Sequence, residues 1–324
     1  MQSKETTASL NTEGNRDMSH TNIKTYTIFG MFFVILMASA NINAGEKALF
    51  SVFSPKTSTW YSNSADAKQA FSKTPAVSST DVLVPADYDG DGIIDFGVWT
   101  PETGIWSIKR SSDNQAFSIY WGTTTVRSAV SIKDIPVPAD YDGDGKADIA
   151  VWRPETGTWL VLFSSKNYDG TKSEIFSLGK SGDVPVPADY DGDKRADFAI
   201  FRTKGNQWLI SDSKTNAVRT EKFGDAATDL FVPADYTGDG KADIAVYRRD
   251  TWLVLNSETS ETEPFYMGFA DAAPVPADYD GDGIIDFAVF RKGTWFIYES
   301  SQPRFKTFTF GGENDVPLNS ISRS

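Results

Sequence analysis

The chain has 324 residues, 40% hydrophobic and 13% aromatic, which is enough apolar matter for one large domain or two ordinary ones. Its 44 acidic against 31 basic residues give a formal net charge of −13, which argues against nucleic acid and anionic membrane surfaces as partners. There is no cysteine, so disulfides, thiolate metal sites, cysteine nucleophiles and lipid-modified cysteine anchors are excluded, and the single histidine is His20.

The first feature in chain order is an uncharged run, YTIFGMFFVILMASA at 26–40, preceded by Lys24 and closed by Ala38, Ser39 and Ala40, with a second small-residue option at Ala44. A basic start, an apolar stretch and small residues at the end are the build of a secretory signal peptide. The stretch is short for a membrane span, which needs roughly 20 residues, although the uncharged run 25–45 could serve as a signal anchor. Residues 1–17 are polar and are expected to lie upstream of a true start at Met18, with 18–44 as the signal peptide and 45–324 as one domain. After cleavage the chain would have neither cysteine nor histidine, which removes histidine triads, imidazole zinc sites and histidine general bases. The expectation is a secreted protein, extracellular or periplasmic and without stable membrane insertion, in a compartment where calcium is plentiful.

From there the chain repeats itself. VPADY recurs at 84, 137, 186, 232 and 275, at spacings of 53, 49, 46 and 43 residues. In each unit a short apolar lead enters an Asp/Gly loop, a strand-like run follows (Ile149 to Arg153), then a turn and a second run opened by tryptophan (Trp106, Trp159, Trp208, Trp252, Trp295). A variable polar loop and a last run follow, ending in an apolar residue plus glycine, as in Trp121-Gly122 and Leu178-Gly179. Runs of four to six residues rich in Val, Ile, Phe and Trp, split by Gly/Pro/Asp turns, are strands joined as hairpins. No window holds a helical period. Four short strands in roughly 40–50 residues are the pattern of a propeller blade.

The stretch from Phe50 to Trp60 aligns without a gap on Ile149 to Trp159, so a sixth unit exists that lacks its first strand and its loop. At the other end Val316, Pro317, Leu318 and Asn319 match the start of a unit. The prediction is an all-β, six-bladed β-propeller of four-stranded antiparallel blades, its ring closed by the C-terminal strand joining the N-terminal blade. The blades run approximately 45–80 plus 315–320, 81–133, 134–182, 183–229, 230–272 and 273–314. Such closure also hides two open sheet edges.

The loop DYDGDGKAD places Asp140, Asp142, Asp144 and Asp148 at positions 1, 3, 5 and 9. Oxygen ligands at that spacing, with glycines to relax the curve, let a tight loop wrap one hard cation, and Ca2+ accepts six to eight oxygens at flexible geometry. The backbone carbonyl of Lys146 is a candidate fifth ligand. The equivalent sets are Asp87, Asp89, Asp91, Ile93 and Asp95; Asp189, Asp191, Asp193 and Asp197; Asp235, Thr237, Asp239 and Asp243; and Asp278, Asp280, Asp282, Ile284 and Asp286. An EF-hand needs a glutamate at position 12, where these loops carry valine or isoleucine inside a strand, so that reading fails. Five near-identical loops also suit a structural role better than an active site, and metal-free Asx turns stand as the plainer alternative. Thr237 at the third position and Lys194 at the sixth predict weaker binding in the Asp235 and Asp189 loops. The loops hold 19 of the 41 acidic residues after position 44. Five divalent ions would therefore bring the charge to about −3, tying the acidity to metal rather than to basic partners.

These loops resemble the FG-GAP/VCBS repeat family, whose units run Asp-x-(Asp/Asn)-Gly-Asp-Gly-x-x-Asp followed by an apolar strand; the resemblance covers roughly residues 48–320. It implies a propeller with calcium at the loop between the first and second strands of each blade, as in integrin α-chain heads and certain fungal lectins. Here Thr237 departs from the pattern, as does the first blade, which has no acidic loop. Function in the family is diverse, so the resemblance bears on fold and metal more than on activity.

Two features could recognise a ligand. Arg153, Arg202, Arg248 and Arg291 each follow an aromatic residue (Trp152, Phe201, Tyr247, Phe290) and either pair with a neighbouring blade's carboxylate or line inter-blade pockets suited to sugars. The loops 110–117 and 164–174 vary most between units, and variable loops on a rigid scaffold are the usual place for recognition. The expected function is a secreted calcium-binding module for adhesion or protein interaction, not an enzyme. A calcium-dependent carbohydrate-binding propeller is the alternative, and a polysaccharide-active enzyme is less favoured. The partner would be an extracellular protein or glycan.

Overall fold

The computed structural model describes residues 47–64, 67–70, 77–122, 126–127, 130–131 and 134–318. The signal segment, Met18, His20 and Asn319 lie outside the described residues. Among the described residues no helix is long and apolar enough to cross a membrane.

Six four-stranded antiparallel sheets form the blades of a propeller. Blade 1 spans 50–70 and takes its innermost strand, Val316–Leu318, from the C-terminal end. Blades 2 to 6 span 82–120, 135–177, 183–222, 230–266 and 273–309. The closing strand pairs antiparallel with Phe50–Ser54, placing Leu318 opposite Ser51 and Val316 opposite Phe53. A short ribbon, Val126–Arg127 with Val130–Ser131, lies between blades 2 and 3 and was not foreseen from the repeat.

Burial falls off outward, and the sequence changes with it. The second strand of blade 3, Ile149–Arg153, has four consecutive buried residues because both faces lie against neighbouring blades. The third strand, Thr158–Leu162, largely alternates, while the outermost strand of blade 4, Val218–Lys222, exposes every other residue. The core is consequently six inter-blade layers. One unites Tyr88, Trp106 and Val84 of blade 2 with Ile149 and Val151 of blade 3. Another joins Trp295 and Val275 of blade 6 to Val52 of blade 1, and a third joins Phe53, Trp60 and Leu318 of blade 1 to Phe96 and Val98 of blade 2, completing the ring.

The repeated residues have local causes. In VPADY the tyrosine is buried in four of the five copies, and its hydroxyl donates to the carbonyl of the valine four residues back, at 2.8 Å for Tyr141 to Val137. The alanine carbonyl accepts the N–H of the ninth loop residue, as Ala139 does from Asp148 at 2.8 Å, which pinches the loop base shut. The tryptophan column packs between blades as expected, and each indole N–H donates to the carbonyl before the closing glycine. Trp159 reaches Leu178 at 3.1 Å and Trp252 reaches Met267 at 3.0 Å. That bond explains why the tryptophan and the x-Gly ending recur together. Trp159→Ala, which empties a fully buried site and leaves the Leu178 carbonyl only the indole N–H of Trp152, is expected to cost about 3–5 kcal/mol, read by chemical denaturation.

Candidate metal centres

Each Asp/Gly loop joins the first strand of its blade to the second, and its carboxylates are oriented mostly by backbone N–H groups. The first aspartate curls the loop around itself: Asp140 accepts from Gly143 N–H at 2.6 Å and from Gly145 N–H at 2.9 Å. The ninth, Asp148, is fully buried and accepts from the N–H groups of Tyr141 and Ser164, both at 2.8 Å. The fifth, Asp144, accepts Lys146 N–H at 2.9 Å, and Asp91 and Asp282 likewise accept from Ile93 and Ile284 at 2.8 Å. These bonds fix the turn at the position-7 residues.

Four loops bring three carboxylates to one point. Oxygens of Asp87, Asp89 and Asp95 lie within 4.8 Å of one another, as do those of Asp140, Asp142 and Asp148, of Asp189, Asp191 and Asp197, and of Asp278, Asp280 and Asp282. Among the described residues no such convergence is found for the Asp235 loop, where Thr237 instead aims its hydroxyl at Asp243, at 3.4 Å. Asp142 Oδ1 is buried with no hydrogen-bond partner among the described residues. A buried, unpaired carboxylate oxygen among like charges is costly unless a cation is held there, so the donor set fits a hard divalent ion.

The electrostatics point the same way. Burial first, then the charge of neighbouring carboxylates, pushes Asp95 and Asp148 up to about 8 and Asp197 and Asp286 to about 7. Burial likewise raises Asp140 and Asp243 to about 6. Without a cation these carboxylates are held in an environment that resists their charge.

The Asp189 loop keeps its shape despite Lys194. That residue adopts φ +71°, the region the glycines occupy elsewhere, and its N–H donates to Asp189 at 2.8 Å. What sets the loop apart is Arg195, whose guanidinium sits 2.5 Å from Asp193 and lends it a positive counter-charge.

Two groups of residues escaped the sequence reading. In blades 2, 3, 5 and 6 the variable loops between third and fourth strands open with serines that cap the carboxylates: Ser111 and Ser112 donate to Asp91 and Asp89 at 2.8 and 2.6 Å, and Ser164 donates to Asp144 at 2.7 Å. Ser165 caps Asp142, Ser257 caps Asp239, and Ser300 and Ser301 cap Asp282 and Asp280. The signal was available, since a serine stands 14 or 16 residues after every ninth-position aspartate. The loops 110–117 and 164–174 are therefore tied at their start to the Asp/Gly loops. The second group is a chain of contacts from loop to loop. Ala147 N–H donates to Asp87 O, Ala196 to Asp140 and Ala242 to Asp189, each at 2.7 Å, Ile285 donates to Asp235 at 2.9 Å, and Ala48 of blade 1 closes the series on Asp278 at 2.7 Å.

Three of the four arginines differ from both readings made of them. Arg153, Arg202 and Arg248 pair with Asp134, Asp183 and Asp229 of their own blades, not with a neighbouring blade. Their aromatic neighbours Trp152, Phe201 and Tyr247 are buried in the core and offer no open ring face to a sugar. Arg291 lies near Asp271 and over the ring of Phe269, 4.6 Å from its centre.

A family model for FG-GAP-like repeats matches residues 87–151 and 140–200, the stretch holding the first three of these loops. Residues 87–200 carry FG-GAP-like repeats. Among curated proteins no sequence matches it. Among solved structures, the propeller is similar to a lectin from Agrocybe aegerita, described as specifically recognising non-reducing terminal N-acetylglucosamine. The two share 18% identity and a TM-score of 0.55, over 83% of this chain and 77% of that one. It also matches an inactive virginiamycin B lyase from Staphylococcus aureus (9% identity, TM-score 0.46, 83% and 87% of the chains) and apo AztD from Citrobacter koseri (12%, 0.46, 84% and 96%). At 18% identity the likeness to the lectin shows the propeller fold alone.

Proposed function

We propose that this protein is a calcium-stabilised recognition module that works outside the cytoplasm and has no catalytic role of its own. The observation that carries the reading is the convergence of three carboxylates in each of four loops, with Asp142 Oδ1 buried and unpartnered. Calcium would be held by the aspartates of the five loops, including Asp91, Asp144, Asp193, Asp239 and Asp282, with Thr237 making the Asp235 loop weaker and Arg195 weakening the Asp189 loop. Bound there, it supplies charge neutralisation and rigidity. Because Ser111, Ser164, Ser257 and Ser300 join the carboxylates to the variable loops, an ordered metal loop would also order the surface offered to a partner. The apolar run 26–40 supports export to a compartment where calcium is abundant enough for weak sites.

Adhesion to a protein partner is the favoured form of recognition. A glycan ligand is the second reading, favoured by the similarity to a lectin. Labelled protein applied to intact cells distinguishes them. The expected result is binding in millimolar calcium that EGTA abolishes and that protease treatment of the cells removes while periodate does not. Loss on periodate alone, with signal on a glycan array, would establish the glycan reading; binding indifferent to EGTA would contradict both.

A further inference from the structure

At the end of the propeller opposite the Asp/Gly loops, each hairpin brings the residue before the first strand against the last residue of the second. Asp183 stands opposite Arg202, and one step beyond the paired residues Asp134 faces Arg153 and Asp229 faces Arg248. In all three blades the guanidinium grips the carboxylate with two nitrogens, at 2.7 and 2.9 Å, 3.2 and 3.0 Å, and 2.5 and 2.8 Å. The aspartates are buried while the arginine side chains stay 23–40% exposed, so each socket opens to the surface.

The same register in blade 2 sets Asp81 opposite Thr100, and in blade 1 it sets Asp315 opposite Ser54. Neither blade has the arginine. Asp81 is nonetheless 6% exposed, like its counterparts; its Oδ2 accepts Ser78 N–H at 2.6 Å, and its Oδ1 is buried with no hydrogen-bond partner among the described residues. Asp315, in the adjoining blade, is half-buried and accepts Gly312 N–H at 2.8 Å. A buried carboxylate oxygen left unpaired carries the full cost of its desolvation. Three sister blades display the group that satisfies it: a planar guanidinium, whose fork matches a carboxylate as an ammonium does not.

We propose that Asp81, with Asp315 in the next blade, forms a receiving site for arginine side chains of a partner protein, on the face opposite the cation loops. The site supplies through a partner the contact that blades 3, 4 and 5 make internally. It deepens the recognition reading without resting on bound calcium.

The test follows backbone amide signals of Ser78, Asp81 and Thr100 by NMR while three probes are added: a peptide with two arginines, the same peptide with citrulline, and free arginine amide. The expected result is saturable shifts with the arginine peptide at an affinity at least tenfold above both the citrulline peptide and the free amide. Thr100→Arg, which fills the socket from within, should abolish the shifts and raise Tm by about 2–5 °C. Asp81→Asn, which keeps an acceptor for Ser78, should abolish them without that rise. Equal affinity for arginine and citrulline, or shifts that survive both substitutions, would overturn the site; equal affinity for the free amide would overturn its assignment to a partner chain. These outcomes are independent of EGTA, so they fail separately from the calcium reading.

Discussion

Removing the closing strand is expected to abolish the native ring. A chain ending at Gly312 loses Val316–Leu318, which supplies the innermost strand of blade 1. Val316 and Leu318 are buried and pack with Phe53, Trp60, Leu83, Phe96 and Val98, so their loss strips one side of the layer between blades 1 and 2. Two buried apolar side chains contribute about 1.5–3 kcal/mol each, and the ladder to Phe50–Ser54 goes with them. The exposed inner edge would also invite pairing with another chain. The expected result is a loss of about 5 kcal/mol or more, comparable to the whole stability of an ordinary domain, with aggregation on gel filtration. Leu318→Ala, a milder probe of the same seam, should cost about 2–4 kcal/mol by urea denaturation while leaving a monomer.

Chelation is expected to have the second-largest effect. At the weak extracellular end of calcium affinity, about 10⁻⁴–10⁻³ M, millimolar calcium contributes roughly 0.4–1.4 kcal/mol per loop by mass action. Over five loops, and with the usual unfolding entropy of a domain this size, EGTA should lower Tm by about 4–12 °C. The effect depends on pH with a definite sign. In the chelated protein the folded-state values of Asp95, Asp148, Asp197 and Asp286 lie near 7 to 8, above the about 3.9 of an unfolded chain. The folded state then binds more protons than the unfolded one, so stability present at low pH is lost as pH rises through that window. The chelated protein should therefore melt higher at pH 5 than at pH 8, and the protection given by calcium should be larger at pH 8. Melting curves of metal-stripped protein at both pH values, with and without added calcium, check it; a metal-free protein that gained stability from pH 5 to pH 8 would oppose the assigned burial.

Much of this was legible in the residues. The five VPADY copies, the ungapped match of Phe50–Trp60 to Ile149–Trp159 and the run at Val316–Leu318 lead to six blades and to their closure, because a propeller repeats one local solution and each copy reinforces the others. The Asp/Gly loops and their place between first and second strands were legible for the same reason. The Asp–Arg clasp was not, since Asp183 and Arg202 lie 19 residues apart and only the hairpin register brings them together. The column Asp81, Asp134, Asp183 and Asp229 stands in the sequence, but in blade 6 one extra residue displaces Asp271 and breaks the pattern. The serine caps escaped because they open loops whose remaining residues differ from unit to unit. In both cases the spacing is regular, while the partner depends on how two strands turn back on each other.

Counting bound calcium tests the central claim most directly. Isothermal titration of the metal-stripped protein, with native mass spectrometry for stoichiometry, is expected to give three sites of similar affinity and two weaker ones, and Asp142→Ala should remove one of the three. A protein that takes up no calcium at millimolar concentration, or whose count is unchanged in that variant, would contradict the account.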